Sequence, residues 1–287
     1  MLGGRPAAER SALCLHDTRE GFDGMPVVFC GIDERLPGGL LLPADGDGLL
    51  RVLDGLPAGA LVAASPGGES TIGSIRRFLR AGVRRDVRLV EVPLSRSALA
   101  MTAAVMSYGI PAGAVRDVAA GVSELASTVV LLDTVSALDR PAPSVAQHAA
   151  GLLPGTRFVV DVTRGRVHKC GRSLPASVLP QGVAAAVTAC GEDRTSNQWR
   201  EQLEAGVRST NGIRLSTGTG SLWRARSWAE VTAVTEPLDA FARRLAQRLD
   251  LRYCHWCREV VSGFPCLYCG VGSGSAAATT PTPGGSR

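Results

Sequence analysis

Lysine is almost absent from this chain. Lys169 stands alone against 30 arginines. With abundant Ala, Gly, Val and Pro, this bias is that of a GC-rich coding sequence, so the arginines alone do not mark a nucleic-acid footprint. The net charge of +5 over 287 residues permits contact with nucleic acid without demanding it. No run of about eighteen apolar residues occurs, which excludes an apolar membrane-spanning helix. The N-terminus lacks a basic stretch followed by an apolar one, so no secretory signal is expected and the expected location is the cytoplasm. A disulfide framework is lacking too. Of eight cysteines, Cys14, Cys30, Cys170 and Cys190 are scattered, a pattern that suits a reducing compartment.

The other four cysteines are the most specific signal in the chain. Cys254-His255-Trp256-Cys257 and Cys266-Leu267-Tyr268-Cys269-Gly270 are two CxxC hooks separated by eight residues. Each hook bends the backbone so that two thiolates face one point, and two hooks supply the tetrahedral set of sulfurs that Zn²⁺ prefers. A pair of disulfides and an iron centre are the alternatives. Gly270 suits the turn after the last cysteine, where positive φ is often needed. His255 reads as a spacer, because four thiolates already fill the coordination shell. Trp256, Phe264 and Tyr268 are expected to cover the site or pack on the body, with base stacking as a further option. The stretch resembles a zinc ribbon or zinc knuckle. That resemblance spans Cys254 to Gly270 only, and it restricts structure more than function.

The remainder reads as α/β, with a Rossmann-like layered N-terminal part, a β-rich α+β C-terminal part and the terminal zinc ribbon. Residues 1–24 are aperiodic and expected to be loosely ordered. Residues 25–140 carry apolar runs at Met25–Ile32, Ala60–Ala64, Val87–Val92 and Val129–Leu132, which read as buried strands. Helical patterns lie between them at 71–81, 97–108 and 113–126, the last with Val115, Val118, Val122 and Leu125 on one face. Apolar strands alternating with amphipathic helices predict a parallel sheet covered on both sides. Pro141–Gly155 reads as a connector. Within 156–251, Arg157–Val162 and Arg166–Cys170 flank a hairpin turn. Trp199, Leu203 and Val207 stack along a helix. Strands are expected at Ile213–Leu215 and Leu222–Val234. Leu238, Phe241, Leu245 and Leu249 form the stripe of a helix that runs into the first hook. Residues 252–270 are the ribbon, and 271–287 are expected to be a disordered tail.

Chemistry beyond the hooks has weaker candidates. Gly67, Gly68, Ser70 and Thr71 follow a strand and open a helix, where backbone N–H groups can hold a nucleotide phosphate. A plain capped turn explains them equally. Together with Ser216-Thr217-Gly218-Thr219-Gly220-Ser221, this loop resembles the glycine-rich loops of the NAD kinase family. Glu69 stands at the position of that family's catalytic aspartate, and Ser70 replaces a glycine. His168 and Cys170 alternate on one strand and, with Cys190, could form a second metal site or an activated thiol. His148 has no evident partner. Asp33 and Glu34 follow the first strand, at the edge where α/β proteins bind ligands. The expected function is a zinc-binding accessory protein that docks on a macromolecule, a protein assembly ahead of nucleic acid because the hook carries only Arg252 and Arg258 as basic residues. The alternative is a nucleotide-binding enzyme using the Gly67–Thr71 loop.

Overall fold

A computed structural model describes residues 27–30 and 40–42, most of 53–79, and 86–272 apart from 139–140, 152, 154, 172–173 and 216–221. Four short strands come first: β1 (Val27–Cys30), β2 (Leu40–Leu42), β3 (Leu61–Ala64) and β4 (Arg88–Glu91). They form a parallel sheet in the order β2-β1-β3-β4. β3 is buried along its whole length, as a strand covered on both faces must be. Val62 and Ala64 pack with Leu53, Leu56, Ile75 and Val87 on one side, while Leu61 and Ala63 enter the main core on the other.

Two helices follow, α1 (Arg96–Met106) and α2 (Val115–Leu125). α1 reads RSALAMTAAVM, apolar nearly all round, and every residue after Arg96 is buried. Such a helix belongs inside a protein and not on its surface. Ser95 caps it, accepting from the Ala98 amide at 3.4 Å. One side of α1 meets the parallel sheet at β1.

The other side of α1 lies on a second, mixed sheet. Its strands are β5 (Ser127–Leu132), β6 (Arg157–Asp161), β7 (Arg166–Cys170), β8 (Ala185–Cys190), β9 (Asn211–Arg214) and β10 (Trp228–Val234). The order is β7-β6-β5-β10-β8-β9, and only the β8–β9 pair is parallel. A short helix, α3 (Val145–Gly151), lies between β5 and β6. The far face of this sheet is covered by α4 (Arg194–Val207), whose Trp199, Leu203 and Val207 are all buried. Asp193 caps α4 by accepting from the Thr195 and Ser196 amides at 2.9 and 3.1 Å. The chain then forms α5 (Leu238–Arg248) and a small hairpin of β11 (Arg252–Tyr253) and β12 (Val260–Val261).

The α/β class is observed, but a Rossmann-like unit over 25–140 is not. β5 leaves the parallel sheet and pairs antiparallel with β6 and β10. A strand buried on both faces is apolar throughout whichever way its neighbours run, so its sequence does not fix its sheet. The mixed sheet also needs β8, AAVTAC, which the sequence reading left unassigned. Alanine is a weak strand former, and β8 is a strand because β10 and β9 bond it on both edges. The strand expected from Leu222 begins at Trp228, and residues 222–223 are a turn. No helix among the described residues is long and apolar enough to cross a membrane.

α5 does what its stripe predicts. Leu238, Phe241 and Leu245 are buried in the core shared with α1 and α2, and Leu249 packs against it. Phe241→Ala is therefore expected to destabilise the whole protein by about 3–5 kcal/mol. Chemical denaturation checks this, with a loss below about 1 kcal/mol marking the helix as a tether.

Candidate functional site

The four hook cysteines converge. The sulfurs of Cys254, Cys257, Cys266 and Cys269 all lie within 4.8 Å of one another. Cys254 and Cys269 are 3.7 Å apart, and Cys257 and Cys266 3.6 Å. Four sulfurs held tetrahedrally at about 2.3 Å from a zinc ion would sit about 3.8 Å from each other. A disulfide would need about 2.05 Å, and all four thiols are free. The set thus fits a tetrahedral metal ion. Among the described residues no other group of His, Cys, Asp and Glu comes together in this way.

The two hooks are built alike. The Arg258 amide donates to the Cys254 carbonyl at 3.0 Å, and the Gly270 amide donates to the Cys266 carbonyl at 2.9 Å. Both donors follow the second cysteine of their hook and take positive φ, 66° at Arg258 and 76° at Gly270. The Cys257 and Trp256 amides hold the Cys254 thiol down, at about 6, while burial pushes Cys257 up to about 12 and raises Cys266. A divalent cation held by the four sulfurs would supply the charge that lets a coordinating thiol ionise.

The hook is pressed onto the body. Gly113 bridges to Val261, and a Cβ at Gly113 would lie 2.2 Å from the Val260 carbonyl oxygen. Only glycine lets the two backbones come so close. The same position faces the Tyr268 ring, whose hydroxyl is pushed up from the usual phenol range by burial. The Tyr268 carbonyl accepts from Arg88 Nε on β4 at 3.1 Å. Ser262 donates to Asp117 on α2, and the Arg252 guanidinium stacks 4.8 Å from the Phe264 ring centre. Tyr268 thus packs on the body as expected, Phe264 meets the Arg252 guanidinium, and Trp256 is 74% exposed.

A second cluster lies where the two sheets meet. Ser65 follows the end of β3, and Ser95 lies four residues past the end of β4. Ser65 Oγ donates to the carbonyl of Leu94, the residue before Ser95, beyond the carboxyl ends of the adjacent parallel strands β3 and β4. Behind them Glu230 of β10 is wholly buried. It accepts from the Ser97 amide at 2.5 Å and from the Trp223 indole at 2.7 Å. Ser97 and Thr232 share a hydroxyl hydrogen bond of 2.8 Å, and Thr128 and Thr232 one of 3.0 Å. Burial pushes Glu230 up, opposed by the Ser97 and Trp223 donors and by Arg96. The sequence reading missed Ser65, Ser95 and Glu230. Serines at two successive strand ends were the available signal for the first pair; nothing local marks Glu230.

The other sequence candidates fare differently. Gly67, Gly68, Ser70 and Thr71, the 216–221 loop, and Asp33 and Glu34 lie outside the described residues. His168, Cys170 and Cys190 do not form a metal-binding group. Burial pushes both thiols up, so neither Cys170 nor Cys190 is activated.

No family model matches the chain, and no curated protein matches it. Solved structures do. A DegV family protein from Eubacterium eligens, loaded with heptadecanoic acid, is 11% identical with a TM-score of 0.47, over 74% of this chain and 100% of that one. The fatty acid kinase B3 protein of Streptococcus pneumoniae, loaded with linoleic acid, is 13% identical with a TM-score of 0.40, over 67% and 76%. A fatty-acid-binding DegV family protein from Thermus thermophilus is 15% identical with a TM-score of 0.40, over 67% and 78%. At these values the likeness does not assign the chain to that family. The expectation of a macromolecule-docking zinc protein is corrected here, while the loop of the nucleotide-binding alternative lies outside the described residues. The similar structures are DegV family proteins and a fatty acid kinase B3 protein.

Replacing Cys257 by Ser is expected to abolish metal binding and loosen residues 252–270 while the α/β core stays folded. Elemental analysis and circular dichroism report the two effects, and a metal-loaded variant would contradict the assignment. Arg258→Gly is expected to keep the metal and raise thermal stability, because the left-handed backbone costs a non-glycine residue about 1 kcal/mol. A lowered melting temperature would show that the Arg258 side chain matters more than its backbone.

Proposed function

We propose that this chain binds a small carboxylic acid with an apolar tail, of the fatty acid class, and that a structural zinc ion closes its C-terminal end. The observation that supports the ligand class is the placement of Ser65, bonded to the Leu94 carbonyl, and of Ser95 just beyond the carboxyl ends of β3 and β4. In open parallel sheets that edge is where ligands bind. Both hydroxyls can turn toward a carboxylate, Ser65 by exchanging the Leu94 carbonyl for the ligand. The start of α1 favours negative charge there. Glu230 already accepts from the Ser97 amide, and its burial disfavours a competing charge on it. The neighbouring side chains Val92, Leu94, Leu99 and Met101 are apolar, which suits a ligand whose remainder is hydrocarbon. The four-thiolate set and its tetrahedral spacing support zinc over a harder ion that prefers oxygen.

Delipidated protein titrated with a long-chain fatty acid is expected to bind one molecule. Ser95→Ala should weaken that binding by about tenfold to a hundredfold, the worth of a hydrogen bond to a charged group. Ser95→Thr, which keeps both hydroxyl and helix cap, should restore most of it. Absence of acid binding by the wild type, or binding indifferent to Ser95→Ala, overturns this function.

A further inference from the structure

The four hook thiols are not equivalent. Cys254 and Cys266, the first cysteine of each hook, are buried, whereas Cys257 and Cys269, the second of each, are only partly buried. The close sulfur contacts run from one hook to the other and join one thiol of each kind. Cys257 meets Cys266 at 3.6 Å, and Cys269 meets Cys254 at 3.7 Å. Each sulfur on the accessible side thus has a shielded sulfur beside it. The two pairs are nested along the chain. Cys257 and Cys266 bracket β12, whose Val261 bridges to Gly113, and Cys254 and Cys269 lie outside them. A disulfide holds its sulfurs about 2.05 Å apart, so either contact closes into a bond by a movement of about 1.6 Å. The remaining described thiols differ. Cys170 and Cys190 are buried in the core that contains Trp199 and Leu203, and burial pushes both up, which makes a thiol inert.

We propose that the hook is a site of thiol oxidation by hydroperoxides, at which zinc and two disulfides between the hooks replace one another. The proposal rests on the reading of the four thiols as a zinc site. A bound divalent ion keeps its sulfurs as thiolates, the form that attacks an oxidant. The sulfur of Cys257 or Cys269 attacks the hydroxyl oxygen of the hydroperoxide. An S–O bond forms, the O–O bond breaks, and the electron pair of that bond leaves on the departing hydroxide or alkoxide. The sulfenic acid is then attacked by its buried neighbour, Cys266 or Cys254. That step forms the S–S bond and breaks the S–O bond, and the oxygen leaves as hydroxide. For each pair, two thiolates give up two electrons and one hydroperoxide takes them up. Two protons from solvent complete the alcohol, or first water, and the second water. Sulfurs joined in this way no longer hold the ion, which passes to solution as Zn²⁺ with its oxidation state unchanged. Because both bonds span the hooks, the loop stays closed around β12 after the ion has gone. A dithiol reductant reverses the exchange.

The test treats the full-length, zinc-loaded protein with hydrogen peroxide. A weak chromophoric chelator follows zinc release against a sample without peroxide, and peptide mass mapping without reduction reads the connectivity. One zinc per chain is expected to leave as disulfides join Cys257 to Cys266 and Cys254 to Cys269, while Cys170 and Cys190 remain thiols. Dithiothreitol followed by zinc should restore the loaded protein. Hydrogen exchange within residues 252–270 is expected to stay slower in the oxidised protein than in reduced protein stripped of zinc. Zinc retained at peroxide concentrations that already oxidise Cys170 or Cys190 overturns the proposal, as does zinc loss that leaves sulfinic or sulfonic acids in place of disulfides. Disulfides from Cys254 to Cys257 or from Cys266 to Cys269 overturn the pairing between hooks, and exchange as fast as in the stripped protein overturns the closed loop. If the wild type binds no zinc at all, the metal reading fails, and the mapped disulfides still decide whether the hooks pair with each other on oxidation.

Discussion

The carboxyl group of Glu230 ties the two halves of this fold together. It sits on the middle strands of the mixed sheet, without solvent, and takes the Ser97 amide at the start of α1 and the indole of Trp223. Burying such a group is costly unless its oxygens are satisfied. Here both oxygens have donors, and the start of a helix is the backbone feature that most favours an acceptor. The requirement is directional, whereas apolar packing is not. A helix that is apolar all round could rotate or slide between two apolar sheets. With Glu230 on Ser97, and Ser97 also bonded to Thr232, one register satisfies Glu230, Ser97 and Thr232 together. That register in turn fixes the junction before α1, where the Leu94 carbonyl takes the Ser65 hydroxyl, and carries α2 to where the hook finds Gly113.

Elements that bury one stripe were legible in the sequence. The spacing of Trp199, Leu203 and Val207, and of Leu238, Phe241 and Leu245, maps onto buried faces, because a helix face is a local property of the chain. The CxxC hooks were legible for the same reason: ligand spacing fixes their geometry before any tertiary contact forms. Sheet membership was not legible. β5 reads as a parallel strand until β6 and β10 arrive from later in the chain, and β8 is too alanine-rich to announce itself. The serine pair depends on two strands being adjacent, and Glu230 on two sheets facing each other. A carboxylate in an apolar run looks from sequence like a solvated edge residue, and only the fold shows it to be enclosed.

The hook is docked on the body as well as folded on itself. Tyr253 and Trp256 are exposed, while other contacts reach β4, Gly113 and Asp117. Gly113 makes the docking close, since a side chain there would collide with the Val260 carbonyl. The body has given up a Cβ to admit the hook.

The enclosure of α1 also dictates an order of events during synthesis. Ser97 waits for a partner 133 residues further along the chain, and for Thr232 beyond that. A chain emerging from its N-terminus therefore completes the parallel sheet and α1 long before β8 and β10 exist to cover them. Contacts of such sequence separation form late and slow the search for the native state. In the interval the growing polypeptide presents an alanine-, leucine- and methionine-rich surface to the surrounding solution, the kind of surface on which nascent chains associate. For this fold, the vulnerable period on the ribosome is set by the distance from Ser97 to Glu230, not by the length of the protein.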